Sequence, residues 1–166
     1  MKKSFLILVI AGFLVIGLAE IQAQTTQPKL NQVELMKQFI GTWESIAGKD
    51  TTCFAEQKPY GTGSECYWKY VTKGKIVSEG KQLYGYDKKI DKFVYVNLMK
   101  GSDIEIWAIW FISNNKFIDI PYSDIANPDK PSFKYEYEIK SPNVFTYTWF
   151  NNGKTISGSV TFTRTK

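Results

Sequence analysis

Apolar and polar side chains alternate strictly late in the chain, where Phe133, Tyr135, Tyr137 and Ile139 interleave with Lys134, Glu136, Glu138 and Lys140. A period of two belongs to an extended strand with one face buried and one face wet, so the aromatic set is assigned inward. The next segment repeats the pattern, with Phe145, Tyr147 and Trp149 against Thr146 and Thr148. The last sets Ile156, Gly158, Val160 and Phe162 against Ser157, Ser159, Thr161 and Thr163. Further strand-like runs fall near 42–47, 65–72, 75–84, 92–99, 103–112 and 115–120. Their separators carry turn chemistry: Lys73-Gly74, Tyr86-Asp87, Gly101-Ser102, Asn114-Asn115, Ser141-Pro142-Asn143 and Asn151-Asn152-Gly153. Such short links predict antiparallel neighbours, because parallel strands need crossover helices and no later segment has room for one.

One helical stretch is expected before the first strand. Leu30, Val33, Met36 or Lys37, and Ile40 are spaced for one helix face over 30–40, suited to covering an end or edge of the sheet. A sheet with one apolar face and no long helices must close on itself or pack on a second sheet. Sequential hairpins favour closure, so the expected fold is all-β: an antiparallel up-and-down barrel of about 8 to 10 strands with a short N-terminal helix.

Parity then isolates one residue. Arg164, the sole arginine, shares the apolar face of the last strand, where an unpaired guanidinium is costly. At a barrel end it would stack on Trp43, which opens the first strand in Gly41-Thr42-Trp43, and donate to terminal carbonyls. The alternative is an exposed terminal cation.

With these features the chain resembles the lipocalin and fatty-acid-binding superfamily. Gly85-Tyr86-Asp87, then Lys92-Phe93-Val94-Tyr95-Val96, and the closing Thr161-Phe162-Thr163-Arg164 are more similar to an uncharacterised bacterial lipocalin-like family. The resemblance spans Leu35 to Arg164. It implies a barrel or flattened cup with a helix near its N-terminus, Trp43 and Arg164 as a closure pair, and a small apolar ligand. The chain departs from haem-binding relatives of that superfamily, which hold iron through histidine, because its histidine count is 0.

The first residues read differently. Lys2 and Lys3 precede an apolar run from Phe5 to Ala19, short for a membrane span, and Ile21-Gln22-Ala23 sets a small residue before Gln24. We expect residues 1–23 to be a signal peptide, 24–34 a linker and start of helix, and 35–166 the barrel domain. The destination would be secreted or periplasmic; an uncleaved N-terminal anchor is the alternative. An exported chain permits a disulfide between its two cysteines, Cys53 and Cys66, which would staple the long first loop to the next strand. Chain entropy would give such a staple on the order of 3 kcal/mol. Tyr60-Gly61-Thr62-Gly63-Ser64 lacks the lysine and helix of a phosphate loop and reads as a flexible or tightly turned segment.

Charge and chemistry exclude more than they assign. The formal net charge of +5 comes from lysines dispersed among acids, without the dense basic tract that nucleic acid requires. Without histidine, hydrolytic triads and most catalytic zinc sites are ruled out, and neither cofactor nor metal is expected. Glu136 and Glu138 read as solvated, Asp103 and Glu105 stand next to a hairpin turn, and Asp119, Asp124 and Asp129 lack the dense oxygen-ligand spacing of a calcium loop, so catalysis is not expected. Aromatic content, with 5 Trp, 10 Tyr and 11 Phe, makes the positive case for a small hydrophobic or amphipathic ligand. Trp68, Tyr70, Tyr135, Tyr137, Tyr147 and Trp149 are the candidate lining; the alternative is that they fill a solid core. A rival function arises at 104–112, where Ile104, Ile106, Ala108 and Trp110 oppose Trp107, Ile109 and Phe111. Apolar residues on both faces would suit a dimer or envelope partner docked on the Trp107 face.

Overall fold

The computed structural model describes residues 29–165, so the expected signal segment and residues 24–28 of the linker lie outside the described residues. The helix α1 spans Gln32–Met36 and runs into a 3-10 turn, Lys37–Phe39. Ten strands follow: β1 Gly41–Gly48, β2 Thr51–Tyr60, β3 Gly63–Thr72, β4 Lys75–Asp87, β5 Lys92–Met99, β6 Glu105–Ser113, β7 Lys116–Pro121, β8 Phe133–Ser141, β9 Val144–Asn151 and β10 Thr155–Arg164. Each pairs antiparallel with its sequence neighbour, and β10 returns to β1, which closes the barrel. Closure removes both free edges, the natural end for a sheet of sequential antiparallel neighbours whose links are short except for the loop 122–132 between β7 and β8. The β3–β4 turn shows the chemistry: Lys73 and Gly74 both adopt positive φ, 49° and 75°, as a two-residue hairpin loop requires.

The strand absent from the sequence reading is β2. Its Pro59 argues against a strand, and its inward position Gln57 is polar. Proline is tolerated because pairing with β1 ends at Gln57, leaving Pro59 bonded only on the β3 side. Gly61, at φ 56°, turns β2 into β3, so the glycine-rich run is a hairpin tip.

Two further corrections follow from register. The expected disulfide is absent, and Cys53 and Cys66 are both free and buried. Cys53 sits opposite Tyr70 and Cys66 opposite Gln57, so four residues of ladder separate them. At the rise of a strand that is roughly 13 Å, beyond any disulfide. In β10 the pairing skips a residue between Ile156 and Gly158. This bulge reverses parity, and Ile156, expected inside, is 67% exposed.

One end of the interior is plugged. Asn31 caps α1 by accepting from the Glu34 amide at 3.2 Å. The helix turns Gln32, Met36 and Phe39 inward, and the Gln32 side chain pairs with both backbone groups of Phe111, at 3.1 and 2.7 Å. Phe39 meets Phe117 and Phe145 edge-on at 4.9 and 5.2 Å, and Phe145 stacks on Phe162 at 5.0 Å. Trp43 lies opposite Arg164 in the β1–β10 ladder, with the guanidinium 4.1 Å over its ring. Arg164 also donates to the carbonyls of Pro142, Gln38 and Ile40, which ties the 3-10 turn, the β8–β9 hairpin and the last strand together. The indole of Trp43 donates to Phe39 O at 2.8 Å.

Candidate functional site

Beyond this phenylalanine floor the interior is not filled. A cavity of about 340 Å³ occupies the barrel, walled by tyrosine, tryptophan and amide side chains and floored by Phe39, Phe117, Phe145 and Phe162. Trp68, Tyr70, Tyr135, Tyr137 and Tyr147 line it. Trp149 does not; it follows Tyr147 along the inner face of β9, with its ring beside that of Tyr147 and pressed over Gly158. Any Cβ at Gly158 would lie 2.1 Å from that indole, so the glycine is what gives the ring room.

A row of polar side chains crosses the wall on consecutive strands. Register sets Gln57 beside Cys66, Cys66 beside Gln82, Gln82 beside Asn97 and Asn97 beside Glu105, from β2 to β6. All five line the cavity. Their hydrogen bonds run along the wall. Gln57 donates to Ser64 at 2.8 Å and Tyr84 to Gln82 at 2.6 Å, while the Trp68 indole donates to Asn97 Oδ1 at 3.3 Å. Asn97 Nδ2 and the Trp107 indole in turn donate to Glu105 Oε2, at 2.9 and 3.3 Å.

Sequence reasoning missed this row for a physical reason. On β4 and β5 the inward set contains Gln82 and Asn97, whereas the outward set contains Leu83 and Leu98, which are 49% and 51% exposed. Hydrophobic pattern is inverted there, so alternation alone points the wrong way. The available signal was continuity of parity from Phe93 and Tyr95 through Asn97 to Met99, which keeps one face despite the polar member. Likewise Trp107 points into the cavity and stacks parallel to Tyr95 with ring centroids 6.5 Å apart. It therefore presents no outward face for a partner; the exposed apolar residues of that hairpin are Ile104, Ile106 and Ile112.

Among the acidic sets, Glu136 and Glu138 lie outside, ion-paired to Lys134 and Lys140. Asp124 binds the Ser132 amide and hydroxyl, both at 2.7 Å, and so pins the loop before β8. Asp119 stands apart from the other acids. It is 1% exposed, accepts from Tyr95 at 2.6 Å, and its Oδ1 has no partner among the described residues. Burial pushes its carboxyl well above the usual carboxylate range, with the Tyr95 hydrogen bond acting the other way.

Burial also acts on the thiols and phenols of the wall. It pushes the Cys53 thiol up to about 11 and the Cys66 thiol up to about 12, so neither is a thiolate near neutral pH. The hydroxyls of Tyr84, Tyr95, Tyr135, Tyr137 and Tyr147 are raised by the same cause. The arrangement can enclose an apolar body and offer hydroxyl and amide groups to it. It lacks an activated nucleophile paired with a base.

Fold and chamber together define a closed, ten-stranded up-and-down barrel with a lined interior. No protein-family model matches the chain, and no curated protein sequence matches it.

Proposed function

We propose that this chain is a lipocalin-like barrel that binds a small hydrophobic or amphipathic molecule in its interior and performs no catalysis. The observation that carries the reading is the cavity itself: about 340 Å³ left open among aromatic rings that would otherwise fill a core. A volume of that order, apolar walls and a few convergent polar groups are the usual make-up of small-molecule sites. The absence of histidine and the protonated thiols support binding over chemistry. The apolar run from Phe5 to Ala19 supports export to the periplasm or beyond. Extraction and native mass spectrometry of the gently purified chain test the proposal. A bound species released on unfolding is expected, and Tyr137→Ala should change its retention while the sheet survives by circular dichroism. A chain that carries nothing and takes up no apolar probe would overturn it.

A second reading rests on the outer surface. Leu83 and Ile106 flank Val96 in the ladder, and with Leu98 and Ile104 they form an exposed apolar patch on β4, β5 and the start of β6. Such a patch favours a protein partner or a second copy of the chain. Light scattering on Ile106→Lys tests this. Association lost in the variant supports an interface, and a monomer of unchanged mass before and after removes it.

A further inference from the structure

The charges of the chamber narrow what it takes up. Among the described residues Glu105 is the one charged side chain in the lining, and no lysine or arginine of that set lines the cavity. Arg164, the residue that could have met an acidic headgroup, is committed at the plugged end to three carbonyls and the Trp43 ring. Glu105 makes no salt bridge among the described residues. Its Oε2 is held by Asn97 and the Trp107 indole, which fixes the carboxylate in place and leaves Oε1 without a protein donor. Trp68 on β3, which donates to the same Asn97, and Tyr135 on β8, whose ring lies 5.6 Å from that of Trp107, approach from either side of β6.

We propose that the chamber selects organic cations: an amine or quaternary ammonium group seats against Glu105 beside the Trp107, Trp68 and Tyr135 rings, with its apolar body directed to the phenylalanine floor. The proposal rests on the reading of the cavity as a binding site. Glu105 is itself exposed where it lines the chamber, and a fixed carboxylate flanked by aromatic rings there attracts a cation through its charge and through the negative ring faces. A fatty-acid carboxylate would meet the opposite arrangement, one negative charge and no lining cation among the described residues.

Three probes of equal chain length separate the possibilities: octyltrimethylammonium, octanol and octanoate, each titrated below its micellar concentration and read by tryptophan fluorescence of the purified chain. The cation should bind roughly tenfold more tightly than octanol, and octanoate most weakly. Glu105→Gln keeps an acceptor for Asn97 and Trp107 but removes the charge, and should bring the cation to within about threefold of octanol. Asp103→Asn removes a carboxylate two residues away that does not line the cavity, and the order of the probes should stay. Equal binding of all three, octanoate binding best, or a preference that survives Glu105→Gln would overturn the cation proposal while leaving the cavity reading intact. No saturable binding of any probe would overturn both.

Discussion

The two ends of the barrel interior obey one parity rule and use it for opposite purposes. At the plugged end Phe39, Phe111, Phe117, Phe145 and Phe162 are almost wholly buried and touch ring to ring. In the other half the same inward positions carry Tyr84, Tyr135, Tyr147, Gln82, Asn97 and Glu105 around open volume. Polar side chains in an interior cost stability unless they are paired, and a void forfeits dispersion contacts. That half contributes less to stability than a filled core would, which is the physical argument for its having another use.

The comparison predicts unequal mutational costs. Phe145→Ala in the floor should lose about 3–5 kcal/mol in urea unfolding, because a close-packed ring leaves a cavity that its neighbours cannot fill. A loss under about 1 kcal/mol would break the contrast, since that is the cost expected of a wall position beside open space. Next in size is Arg164→Ala, at about 2–3 kcal/mol, from the stacked guanidinium and the carbonyls left unpaired. Arg164→Lys should recover only part, because an ammonium cannot serve three carbonyls and stack at once. An unchanged melting temperature in both variants would mean that closure depends on the β1–β10 ladder alone. Gln32→Leu should follow at about 1–2 kcal/mol, as it orphans the amide and carbonyl of Phe111.

Asp119 sharpens the comparison through pH. Its carboxyl is raised in the folded state by burial, so the folded chain holds a proton that the unfolded chain releases near pH 4. Stability contributed by this group is therefore full below about pH 4 and falls as pH rises toward the folded value. Asp119→Asn should flatten that decline, measured as melting temperature against pH. A wild-type curve that rises over the same window, with the variant parallel to it, would contradict the buried neutral carboxyl. The smallest effect is expected at the wall, where Tyr135→Phe should change stability by less than about 1 kcal/mol and alter probe binding more than folding.

How far sequence could reach follows from the same division. Over β8, β9 and most of β10 the inner face is aromatic and the outer face polar, so alternation places Tyr135, Tyr147 and Phe162 and brings Arg164 to the end beside Trp43. It fails at Ile156 because a bulge adds one residue, which no pattern of apolar positions announces. It fails over β4 to β6 because the chamber needs polar residues inside, while Leu83, Leu98 and Ile106 stand outside. β2 was hidden by Gln57 and Pro59, and once it is a strand the register itself forbids the disulfide that an exported chain would otherwise permit. The regions that misled are those that surround the cavity.

The central claim is that this half of the interior is vacant in order to be occupied. Ala55, which lines the chamber and pairs in the ladder with Trp43 and Trp68, offers the direct test. Tryptophan fluorescence titration with octanol should saturate in the wild-type chain and show no binding in Ala55→Phe, whose added ring takes up the cavity while the circular dichroism spectrum is kept. Absence of saturable binding in the wild type, or identical titrations in a folded variant, would contradict it.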